Sequence, residues 1–339
     1  MSKSKSIFAL VLALTLLAGC GTAGQPEETL DETELTGGVL SINEDAYLDQ
    51  TAPLEIHVEA EAVALSYAPA AISTVLMPEA SGTATKKNEK AEIDYSNTAD
   101  GYVMARYTTS TSKRLKVQVV GPATTYTYDL TAGSWTTFPL SDGSGSYKVT
   151  VLENTTDSKY AAVVSVSFQV TLSDEFAPFL RPNQYVDYGV AEKTIKKAAE
   201  LTKNISDPLE KVEKVCNFVV ENLTYDKSKA ATVKSGYLPV LDEVLAAKKG
   251  ICFDYAALMA GMLRSQGVPC KLVVGYAGST YHAWISVWTE ETGWVDGVIF
   301  FDGATWQRMD PTFASSGNSS ESIMKYIGNG SNYTAKYLY

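Results

Sequence analysis

The chain is poor in histidine and cysteine. It holds two histidines, His57 and His282, and four cysteines, Cys20, Cys216, Cys252 and Cys270. There is no His-Glu-x-x-His pair and only one plausible histidine ligand, so neither a catalytic metal nor any other cofactor is expected. A phosphate-binding glycine loop, a Gly-x-Ser-x-Gly elbow, a calcium-binding loop and internal repeats are also missing. Positive charge is scarce: 28 Lys and Arg stand against 39 Asp and Glu, a formal net charge of −11, which argues against a nucleic-acid partner. The longest apolar run, residues 7–17, is too short for a membrane-spanning helix.

That run has a basic start at Lys3 and Lys5 and closes on Leu17-Ala18-Gly19-Cys20. The pattern resembles a bacterial lipoprotein signal over residues 1–20, in which cleavage leaves Cys20 to carry lipid. It implies an exported protein, held through Cys20 to the outer face of the cytoplasmic membrane. An ordinary secretory signal with an incidental cysteine is the alternative. Removing it takes away two lysines and no acid, leaving a charge near −13. Residues 21–50 carry eight Asp and Glu and no Lys or Arg, and should form a disordered tether.

From Pro53 the pattern changes to period two. Leu54, Ile56, Val58, Ala60 and Ala62 alternate with Glu55, His57, Glu59 and Glu61, which puts His57 on the solvated face. After a break around 81–91, short strand-like runs recur at 102–107, 115–120, 124–130, 135–140, 147–152 and 161–172, with turn residues between the later ones. Residues 51–175 are therefore expected to form an all-β domain, an antiparallel sandwich of immunoglobulin-like outline that spaces or binds substrate.

Two helices should follow. One spans 192–203, and one opens at Asp207-Pro208-Leu209-Glu210 with a carboxylate cap and proline at its first position. Leu209, Val212, Val215, Cys216 and Val219 form the buried stripe of the second, which makes Cys216 a structural filler. A short helix at 241–247 delivers the chain to Gly250. Apolar residues then recur at helical spacing from 251 to 266, and Gly267-Val268-Pro269 supplies the stop. Cys252 falls in the first turn, where free backbone N–H groups and the helix dipole favour thiolate and can bind an oxyanion.

Strands are expected at 270–276, 282–288, 294–301 and 306–309. If they pair in sequence, His282 and Asp310 project from adjacent strands towards the helix start. An odd number of cysteines beyond Cys20 suggests a free thiol, and Cys216 and Cys270 suit a disulfide or two buried thiols equally.

Gly250-Ile251-Cys252, Tyr281-His282-Ala283-Trp284 and Met309-Asp310-Pro311-Thr312 occur in that order. Together they resemble the transglutaminase-like superfamily, a papain-like cysteine fold of α+β class, over roughly 185–313. The resemblance implies Cys252 as nucleophile, His282 as base and acid, and Asp310 as the carboxylate that orients the imidazole. It also implies substrate contacts at Tyr225, before the nucleophile segment, and at Trp284. The run from Trp288 to Trp306 is longer than in many relatives, and leaves Asp296 or Asp302 as a rival for the third role.

The reading is thus multidomain: a catalytic domain over 176–316 follows the β domain, and an irregular tail occupies 317–339. The expected substrate is a protein or peptide of the cell envelope, attacked at an amide through a thioester that an amine or water resolves. The alternative is a catalytically silent binding or scaffold lipoprotein of the same fold.

Overall fold

The computed structural model describes residues 39–41, 75–290, 293–296, 299–301, 306–308 and 333–339. The signal segment with Cys20, the strand pattern around His57, and both Asp302 and Asp310 lie outside the described residues.

Strand β1 (Val39–Ser41) pairs antiparallel with a later strand, at Tyr160 and its neighbours. The β-rich region then runs through β2 (Thr85–Lys87), β3 (Ala91–Asp94), β4 (Tyr102–Tyr107), β5 (Leu115–Val120), β6 (Thr125–Leu130), β7 (Thr136–Pro139), β8 (Gly145–Thr156) and β9 (Lys159–Val170). Strict alternation in β5 buries Leu115, Val117 and Val119, and in β6 buries Tyr126, Tyr128 and Leu130. These strands form two antiparallel sheets, in the orders β2-β3-β4-β7 and β1-β9-β8-β5-β6. Tyr95 stacks on Phe168 at 5.3 Å and Asn88 donates to the Val163 carbonyl at 2.6 Å, which tie one sheet to the other.

The expected break at 81–91 is instead the β2–β3 hairpin. Its turn is set by the Asn88 side chain, which accepts from the N–H groups of Lys90 and Ala91. Short edge strands that expose Lys86 and Lys87 carry little of the apolar alternation that marks a strand in sequence.

The second region contains α1 (Glu192–Leu201), α2 (Pro208–Asn222), β10 (Thr224–Tyr225), α3 (Lys227–Thr232), α4 (Leu241–Ala247), β11 (Lys249–Gly250), α5 (Cys252–Ser265), β12 (Cys270–Ala277), β13 (Thr280–Thr289), β14 (Gly293–Asp296), β15 (Ile299–Phe301), β16 (Trp306–Arg308) and β17 (Tyr333–Leu338). Asp207 caps α2 by accepting from Leu209 N at 2.9 Å, and the stripe from Leu209 to Val219 is buried as expected. From Asp254 to Ser265 every residue of α5 is buried, so this helix is enclosed on all sides and forms the centre of the fold. Burying each of Leu258, Met259, Met262 and Leu263 contributes on the order of 2 kcal/mol, enough to fix the helix and whatever its first turn carries. Gly267, at φ 76°, ends it.

The main sheet has the order β14-β13-β12-β17. Two expectations are corrected here. Strand β16 does not neighbour β13 but pairs with β15 in a separate ladder, so the segment leading to Asp310 does not extend the sheet beside His282. Nor are all of the last residues irregular: β17 pairs with β12, and Tyr339 is buried. Polar composition around 317–332 conceals the aromatic strand β17, whose tyrosines, with Tyr339 after it, pack on rings distant in sequence.

Arg264, 1% exposed, fastens these pieces together. Its guanidinium donates to the carbonyls of Cys270 at 2.8 Å, Arg181 at 2.9 Å and Tyr339 at 2.5 Å. The two regions share one hydrophobic cluster. Tyr185 stacks on Tyr339 at 4.0 Å, and Tyr126 and Tyr128 of β6 pack against the same ring at 5.8 and 5.9 Å.

Candidate active site

The approach to α5 is a parallel two-strand ladder in which Tyr225 of β10 lies opposite Gly250 of β11, and Asp226 N donates to the Gly250 carbonyl at 2.8 Å. Only glycine fits at 250, because an added Cβ would lie 2.5 Å from the Asp254 Cβ. Ile251 is extended, Tyr255 N donates to its carbonyl at 3.1 Å, and Cys252 is the first helical residue. The N–H groups of a first turn have no partner within the helix, so they face outward beside the thiol.

All three described cysteines are free thiols, and Cys252 alone among them is not buried. Burial pushes the Cys270 thiol up to about 12 and raises that of Cys216 as well, so both stay protonated fillers.

Directly behind Cys252 lies a polar cluster that motif reading missed. Asp254, fully buried, accepts from Ile251 N at 2.8 Å, from Lys229 Nζ at 2.7 Å and from the Tyr237 hydroxyl at 2.5 Å. Lys229 also donates to Tyr237 Oη at 2.6 Å. Burial, and then the Asp254 carboxylate, push the Tyr237 phenol up, which keeps it a donor at neutral pH. An acid at the third position of a helix was the available signal. Its lysine partner was hidden because α3, six residues capped by Asp226, has no apolar period to announce it.

Strand β13 runs beside the start of α5. His282 lies opposite Gly275, and alternation divides its neighbours. Ala283, Ile285 and Val287 enter the core that contains α5, and Tyr281 packs against it, with Tyr185, Tyr337 and Cys252 among its electrostatic neighbours. His282 shares the other face with Trp284 and Tyr333, its ring centroid 6.2 and 6.4 Å from theirs. The side chain that β13 turns towards the Cys252 face is thus Tyr281.

Trp284, expected to contact substrate, is buried with its ring over Gly275, where a Cβ would come within 2.9 Å of it. Tyr225 sits across the ladder from Gly250 and packs against the core with Cys252 and Phe253. Asp296 ends β14, in register with Ser286 of β13. Among the described residues no three His, Cys, Asp or Glu side chains converge as a metal site would require.

A thiol on the first turn of a buried helix, backed by an antiparallel sheet, stands at the centre of an α+β core. Residues 195–311 match the family model of the transglutaminase-like superfamily, and this segment of the chain belongs to that superfamily. A protein-glutamine gamma-glutamyltransferase of Pseudomonas aeruginosa is 32% identical over 89 residues, which cover 22% of this chain and 13% of that protein. The uncharacterized protein YebA of Bacillus subtilis is 26% identical over 117 residues, 29% of this chain and 16% of its own. The chain thus spans less than a fifth of the length of either relative. A candidate cysteine protease from Cytophaga hutchinsonii superposes with a TM-score of 0.36 at 16% identity, covering 76% of this chain and 73% of that one, a likeness too low to decide the fold.

Proposed function

We propose that the chain is a cell-envelope lipoprotein whose transglutaminase-like core acts on amide bonds of proteins or peptides through a thioester on Cys252. In this reading the Cys252 proton passes to His282 and the sulfur bonds to the amide carbonyl carbon, whose π pair moves onto oxygen. First-turn N–H groups hold that oxyanion. The C–N bond then breaks and the amine leaves with the proton from His282. Asp310 orients the imidazole, and an amine or water resolves the thioester. Cys20 anchors the molecule outside the cytoplasmic membrane, the acidic residues to 50 tether it, and the β region of 51–175 presents substrate.

We read that region as immunoglobulin-like. Counting from β3, its first, second and fifth strands lie in one sheet and its third, fourth, sixth and seventh in the other; the fourth strand is on the opposite sheet from its place in the constant-type immunoglobulin fold, and the other six divide as that fold does.

One observation carries the chemical reading: the only described cysteine outside the buried core begins the central helix. The test incubates the full soluble chain with a glutamine-containing peptide, with and without a small primary amine, and follows the protein by intact mass. A peptide adduct on Cys252 that disappears in Cys252→Ala is expected, with amide formation when amine is present and deamidation or cleavage when it is not.

A second reading, a silent scaffold of the same fold, has the register of β13 in its favour, since His282 lies on the face away from the core around α5. Peptide binding without any adduct or turnover would establish it.

A further inference from the structure

We propose that Lys229, Tyr237 and Asp254 form a positioning network for Cys252, in which Asp254 fixes the start of α5 and Lys229 cancels the carboxylate charge behind the thiol. The inference rests on the thiol chemistry proposed above and goes beyond it by assigning three residues outside the expected triad.

A helix start needs only a neutral hydroxyl or amide as cap. Here a carboxylate is used and fully buried, a placement that costs several kcal/mol unless it is paired and hydrogen-bonded. Three donors meet that requirement, at 2.5, 2.7 and 2.8 Å. One is the N–H of Ile251, so the carboxylate sets the backbone that leads directly into Cys252. The arrangement is tight, since Gly250 leaves no room for a side chain beside Asp254. Asp226, which opens α3, accepts from Lys229 N at 3.0 Å and so aims the lysine at the site.

The electrostatic consequence follows from position. A thiolate at Cys252 is favoured by the helix start and opposed by a bare carboxylate in the same turn. Lys229 Nζ, 2.7 Å from Asp254 and 4.1 Å from the Tyr237 ring centre, removes that opposition. Among the described residues, the other titratable groups on this side are Tyr281 of β13, which has Cys252 among its electrostatic neighbours, and, flanking the Gly250 ladder, Tyr225 of β10 and the Asp226–Lys249 pair at 3.2 Å. None of these changes when Lys229 or Asp254 is replaced, so the two substitutions read the network alone.

The experiment measures the rate of iodoacetamide alkylation at Cys252 against pH in the full soluble chain, by peptide mass mapping, for native protein, Lys229→Met, Lys229→Arg and Asp254→Asn. Circular dichroism establishes that each variant is folded. Lys229→Met is expected to move the midpoint of the profile up by about one pH unit, Asp254→Asn down by about as much, and Lys229→Arg to restore the native profile. A network that only supports the fold would lower melting temperatures and leave the midpoints together. If Asp254→Asn fails to fold, the Met and Arg variants of Lys229 decide the matter. A native midpoint below that of an ordinary cysteine, about 8.5, with no shift in either lysine variant, overturns the network and leaves the thiol reading standing. A native midpoint at or above that value overturns both.

Discussion

At the residue scale, one glycine and one carboxylate set the geometry of the thiol. Replacing Gly250 with Ala forces a Cβ to within 2.5 Å of the Asp254 Cβ, where only backbone movement gives relief. Gly250→Ala should therefore cost about 2 kcal/mol of stability by urea unfolding and slow alkylation at Cys252. A second buried carboxylate lies in the β region. Glu153 is held below the usual range first by Lys113, at 2.7 Å, and then by the hydroxyl of Tyr107. Because its folded value is depressed, its contribution is present above the unfolded value and lost as pH falls through the folded one. Glu153→Gln should lower stability by about 2 kcal/mol at pH 7, and the difference should shrink as pH falls below the ordinary carboxylate range. Of these features the sequence disclosed Cys252 and its place on the helix, because the dipeptide before it and the period after it are local. Lys229 and Tyr237 were not legible: each reaches Asp254 from another segment, and neither has a pattern of its own.

At the scale of elements, local chemistry marks some boundaries, while others depend on distant pairing. Alternation gave β4 and β5 their full extent, and the cap with its proline located the start of α2. The partners of β16 and the existence of β17 depend on contacts across many residues, and no local signal carries them. The packing of β17 makes a sharp prediction. A Cβ at Gly275 would fall 2.0 Å from the Thr334 carbonyl oxygen, so Gly275→Ala should expel β17 from the sheet edge. We expect a loss of about 3 kcal/mol in denaturant unfolding, with fast hydrogen exchange along β12. Unchanged protection of β12 would mean that β17 contributes little to the sheet.

At the scale of the molecule, the β region and the helical core share one apolar cluster, joined through Tyr126, Tyr128, Tyr185 and Tyr339. A shared core couples the two parts, so calorimetry should find one transition with a calorimetric to van't Hoff ratio near one. Tyr185→Ala, which empties the junction, should lower that transition as a whole, by about 3 kcal/mol, and two separate transitions would refute the coupling. The composition of the chain had suggested separate domains, because strand-rich and helix-rich stretches are easy to tell apart in sequence. Their common core is not, since its tyrosines are spread from β6 to Tyr339. The central claim concerns Cys252, and competitive labelling of the native chain with limiting iodoacetamide at pH 7 tests it most directly. The account predicts that Cys252 is modified first and faster than a free cysteine, while Cys216 and Cys270 react only after unfolding. Labelling of Cys252 no faster than an unstructured thiol, or no sooner than the two buried cysteines, would contradict it.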